Sequence, residues 1–156
     1  MTNQWRHLPA PARPIAAATD AAVTAARNKN LETLAQAVAE LAALDQAQVG
    51  LILGTTVRLL LEIRHPDGLD GDDVRNVLEQ SVRGAAAWQA DVDPHVVLFL
   101  LAGALGVLEE DGEPPPKPEA LAHHAALLIA HLVRQESLPE LVTLALGEIE
   151  RAQLND

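Results

Sequence analysis

Residues 45–68 read DQAQVGLILGTTVRLLLEIRHPDG, and this stretch decides the fold. Asp45 followed three residues later by Gln48 is a capping-box pattern, which opens a helix at Gln46. Val49, Leu51, Ile52, Leu53, Val57, Leu59, Leu60, Leu61 and Ile63 then place apolar side chains nearly all the way round, so this helix needs cover from several sides and is expected at the centre. His65-Pro66-Asp67-Gly68 stops it, because the residue before a proline avoids the helical region and Asp-Gly favours a turn. A helix apolar on most faces belongs to helix-on-helix packing.

The flanking sequence repeats this grammar. Asn30 is placed to cap a helix whose Leu31, Leu34, Val38 and Leu41 form one apolar stripe. Asp70 caps a helix running to about Gln89, with Val74, Val77, Leu78, Val82, Ala85 and Trp88 on one side. Asp93-Pro94 is a cap followed by proline at the first helical position, opening Pro94 to Glu109 with its thirteen-residue apolar run Val96–Leu108. Pro118 starts a helix to about Gln135, and Ser137 with Glu140 opens the last one. An alanine-rich helix, Ile15 to Arg27, is expected from Pro14 and breaks at Asn28-Lys29-Asn30. The expectation is an all-α fold of six to seven helices, either a bundle or a short stacked array of helical hairpins. Residues 1–13 read as a flexible N-terminal arm, and 14–156 as a single helical domain with a Pro-rich connection at 110–118. Partial self-similarity at a spacing of about 43 residues, for example Leu34–Val38 with Leu78–Val82, raises a HEAT-like repeat as one form of the array.

Composition agrees. The chain has 156 residues, 49% of them hydrophobic and only 2% aromatic, with no Tyr and no Cys. That mixture favours helices over sheets and excludes a wholly disordered chain. Twenty-two acids against 11 bases give a formal charge of −11, which argues against nucleic acid and anionic membrane surfaces as partners. The apolar run at 96–108 falls short of the ~20 residues of a membrane span, no secretory pattern opens the chain, and no thiol is present; a soluble, cytoplasmic protein is expected. The excess of alanine, and of Arg over Lys, points to a GC-rich bacterial genome.

Chemistry is sparse. No phosphate loop, dinucleotide turn or nucleophile elbow occurs, and the only serines are Ser81 and Ser137. Glu119, His123, His124 and His131 share one helix and are the candidates for a metal, yet they lack the His-Glu-x-x-His spacing of a helical zinc site. The acidic run Asp67–Asp73 fails the ligand positions of a calcium loop in either register and reads as cap and first-turn acids. Gly50 and Gly54, one turn apart, and Gly103 and Gly106 on the other apolar segment mark either close helix packing, with room for a large neighbour such as Trp88, or a ligand-shaped cavity. Pro115-Pro116-Lys117-Pro118 fits a Pro-x-x-Pro ligand but reads first as a linker. The functional expectation is a non-enzymatic protein without cofactors, working through a protein partner or self-association as a regulatory or scaffold subunit. Its alternative is a binding domain for a small apolar ligand; a metal-dependent enzyme comes last.

Overall fold

A computed structural model describes residues 8–88, 90–107 and 114–154. Among these the chain forms seven helices and no strand: α1 (Ala12–Arg27), α2 (Leu31–Ala42), α3 (Gln46–Arg64), α4 (Gly71–Ala87), α5 (Pro94–Ala104), α6 (Pro118–Leu132) and α7 (Leu138–Leu154). The all-α expectation is met. No helix among the described residues is long and apolar enough to cross a membrane.

The caps sit where the sequence places them. Asn30 Oδ1 accepts from Thr33 N–H at 3.1 Å, and Asp93 Oδ1 accepts from His95 N–H at 2.9 Å. Asp70 and Asp73 cap each other reciprocally, side chain to backbone, at 2.8 and 3.0 Å. Asp45 accepts from Ala47 and Gln48 N–H. Gln46, beside it, turns its amide back onto the carbonyls of Leu41, Ala42 and Leu44, joining α3 to the end of α2.

The end of α5 departs from the sequence reading, whereas α1 ends at Arg27 as expected. Helix α5 stops at Ala104 rather than Glu109. Gly106 has φ +74°, Val107 N–H reaches Ala102 O at 2.9 Å and Gly106 N–H reaches Gly103 O at 3.2 Å, the double bond of a Schellman stop. Helix α1 ends in the same motif, with Lys29 at φ 58° and Asn30 N–H on Ala25 O at 2.9 Å. A lysine there holds a backbone conformation that glycine adopts more cheaply.

The start of the chain also departs from expectation. Helix α1 begins at Ala12, two residues before Pro14, because Ala12 and Arg13 already bond back to Pro9 and Ala10. Pro14 then falls in the first turn, where its missing N–H costs nothing. Leu8 is buried and its carbonyl accepts from Arg13 Nε, so residues 8–13 are docked rather than loose. The rest of the expected arm, 1–7, lies outside the described residues, as do 108–113 of the expected helix end and Pro-rich connection.

The packing is a bundle around α6, which meets α1, α2, α3, α4 and α5. In a stacked array each hairpin meets only its neighbours, so of the two expected architectures the bundle is the one observed. Helix α6 holds the centre because Ala122, Ala125 and Ala126 are small enough for close approach while Leu128 and Ile129 fill the layers, all at most 2% exposed. Helix α3 is the second axis and carries α7, tied to it by Arg58 to Glu148 at 2.7 Å and to the α6–α7 connection by Arg64 to Glu136. Helix α5, expected among the most covered segments, is peripheral. It meets only α3, α4 and α6, leaving Leu98 exposed and Phe99 and Leu100 half-buried.

Candidate functional site

Gly50 and Gly54 lie one turn apart on α3, and Gly103 lies in the last turn of α5. A Cβ built at any of the three meets no atom within 4 Å. None of them therefore marks a close helix approach, and the packing reading of these glycines is corrected. All three open instead on one cavity of about 460 Å³ between α3, α5, the start of α6 and Pro115–Pro116.

The cavity has an apolar character that follows from its position. Helix α5 contributes Phe99 and Leu100, α3 contributes Val49 and Leu53, and α6 contributes Leu121. No charged side chain lines it among the described residues. The one polar side chain among them, Gln46, has its amide nitrogen committed to three backbone carbonyls at 2.7–3.1 Å. Pro115 and Pro116 line it too, so part of the expected linker serves as a surface of the site. Gly106 does not belong here: its left-handed φ makes it the helix stop described above, and nothing places it in the wall.

The histidine helix is built for structure. His124 is buried, its Nδ1 donates to Ala120 O at 2.7 Å, and its Nε2 accepts from the backbone N–H of Asp93 at 2.8 Å. Both ring nitrogens are thereby committed, which fixes the neutral Nδ1–H tautomer. Burial holds its pKa below the ordinary imidazole value, with the neighbouring His123 adding to the effect against the pull of the Ala120 carbonyl and nearby Asp93 and Asp91. His123 Nε2 bonds Asp91 O at 2.7 Å, and the two rings meet edge-on with centroids 5.0 Å apart. Together they staple the segment before α5 to α6, and that sets where α5 lies against the cavity.

His131, two turns on, is half-buried and lines a different pocket; burial, and then Arg134, lower its pKa. Glu119 is exposed at the first turn of α6. The four metal candidates thus do not converge, and no group of three or more His, Cys, Asp or Glu side chains able to hold a metal occurs among the described residues.

Trp88 is also relocated. Rather than filling the space above Gly50 and Gly54, it lies at the end of α4 beside Ser81, Arg27 and His131. The sequence reading missed Arg27, Lys29 and Ser81 as neighbours. The unusual break Asn28-Lys29-Asn30, with no glycine where a helix stop favours one, is the signal that marks this corner.

Set against protein-family models, curated proteins and solved structures, the chain matches none of them.

Proposed function

We propose that this is a non-enzymatic binding protein whose ligand is a compact, uncharged apolar molecule held between α3 and α5. The observation that carries the reading is the convergence of Gly50, Gly54 and Gly103 on one cavity of about 460 Å³ whose described wall holds no charged side chain. That size falls within the range of small-molecule sites, and burial of apolar surface supplies the affinity. Among the described residues the wall offers no free acid, base or nucleophile for a reaction.

The test is titration with N-phenyl-1-naphthylamine, a neutral apolar dye that brightens when desolvated. Saturable binding is expected, and Gly54→Leu is expected to abolish it by filling the cavity while the far-UV circular dichroism and melting transition are kept. Binding that never saturates, or that survives Gly54→Leu unchanged, refutes the reading.

A second reading rests on the outer side of α5. Leu98 is 44% exposed and Phe99 and Leu100 are half-buried, so a partner protein or a second copy that covers α5 would extend along the same groove. Light scattering decides between the two: a dimer that loses dye binding as protein concentration rises favours the protein contact. A monomer with unaltered dye binding favours the small ligand.

A further inference from the structure

A second cavity, of about 350 Å³, lies where the ends of α1 and α4 meet α6. Its chemistry is the reverse of the first. Arg27, Lys29 and His131 line it and no acid does among the described residues, in a chain with twice as many acids as bases. Neither Arg27 nor Lys29 forms an ion pair among the described residues.

Helix-end electrostatics favour Arg27, in the last turn of α1, only mildly. Several carbonyls there are already taken by backbone N–H groups: Asn28, Lys29 and Asn30 bond Thr24, Ala26 and Ala25, and Trp88 and Ala90 both bond Ala85 near the end of α4. A helix end carries only a fraction of a charge in any case.

Two independent features mark the corner. Ser81, 5% exposed and part of the wall, has a buried hydroxyl with no hydrogen-bond partner among the described residues. Buried polar groups are normally satisfied, so an orphan calls for a missing acceptor or donor. Lys29 holds φ 58°, a backbone strain that a glycine in its place would relieve. The chain keeps a charge at that position against its conformational preference. Next to them, Gly84 leaves open space where a side chain would stand, and the indole of Trp88 supplies an apolar wall.

We infer that this corner is a binding site for a small carboxylate with an apolar body, the carboxylate on Arg27 and Lys29 and the body against Trp88. A planar guanidinium receives a carboxylate through two parallel N–H donors, and a small turn of the Ser81 side chain toward the cavity would give its unpartnered hydroxyl an acceptor. The wall has room for one such molecule in the space that Gly84 leaves. This site shares no wall with the apolar cavity and stands or falls separately from it.

The test uses the full chain carrying Trp5→Phe, which leaves Trp88 as its sole tryptophan, with phenylacetate as the probe. A saturable change in Trp88 emission is expected, and ligand-observed NMR on the same samples reports binding that leaves the emission unchanged. 2-Phenylethanol, the same body without the charge, should bind about tenfold more weakly or worse. Arg27→Gln and Lys29→Gly should each weaken phenylacetate by about tenfold. Because Lys29→Gly relieves the backbone, a loss of binding there is not a loss of fold. Gly84→Leu should remove binding altogether. Absence of saturable binding by both methods overturns the site. So does equal affinity for phenylethanol, or full affinity in both Arg27→Gln and Lys29→Gly.

Discussion

Replacing glycine by alanine at positions 50, 54 and 103 should make this protein more stable and a poorer binder at once. Each residue is helical, none has a positive φ, and a methyl group at any of them meets open space. The steric cost is therefore nil, while the unfolded chain loses conformational freedom. Glycine in a helix interior costs about 0.5–1 kcal/mol relative to alanine. Gly54, in the middle of α3, should give the full value, and Gly103, in the last turn of α5, a smaller one. The triple variant then gains roughly 2 kcal/mol, which for a domain of this length raises the melting temperature by roughly 4–8 °C. Thermal and urea unfolding followed by circular dichroism measure it, with an unchanged urea slope showing that the compactness of the end states is the same. Gly106→Ala is the internal control and carries the opposite sign. With φ at +74°, the alanine meets a penalty of about 1 kcal/mol or more. A Gly54→Ala variant that melts lower than the parent, or a Gly106→Ala variant that melts higher, refutes the geometry on which the cavity rests.

Lys29→Gly should stabilise the protein by about 1 kcal/mol, read from the urea midpoint, because the left-handed conformation at φ 58° suits glycine. His124→Leu keeps the size but removes the acceptor for the Asp93 N–H, and should cost about 1–3 kcal/mol in the same assay. The pH dependence follows from His124 and His131. Burial holds both below their ordinary value of 6.5, so near that value the unfolded chain binds more protons than the folded one. Their contribution to stability is complete above the ordinary value and falls as pH drops through it toward the depressed one. Urea midpoints at about pH 7.5 and about pH 5.5 should show this fall, and His131→Gln should shrink it; a fall of the same size in that variant counts against His131.

What the sequence shows and what it conceals divide along a physical line. Caps are local, and Asn30, Asp45, Asp70 and Asp93 act where their side chains can reach the next turn. The all-α fold follows from them and from the period of the leucines. Centrality is not local. Hydropathy ranks α5 above α6, yet α6 is the hub, because alanine's small size, which hydropathy undervalues, lets five helices come close. The glycines were visible as a pattern, but whether a missing side chain faces a neighbouring helix or a void depends on the tertiary arrangement. Gly106 groups with the helical glycines in the sequence, because a left-handed φ leaves no mark in the letters around it. The corner of Arg27, Lys29 and Ser81 joins residues more than fifty positions apart, and no spacing rule connects them.

Placing the hub so late in the chain has a consequence during synthesis. Helices α1 and α2 form a tight pair, since Asn30 closes one and caps the other, and this pair can fold as soon as it is made. Its remaining apolar side, with those of α3 to α5, must wait for residues 118–132. At common translation speeds that delay is about 5–20 s. The shell that α3 to α5 complete waits less, about 1–6 s from the end of α5, with nothing to close on, and a chaperone that shields it should raise the yield of native protein.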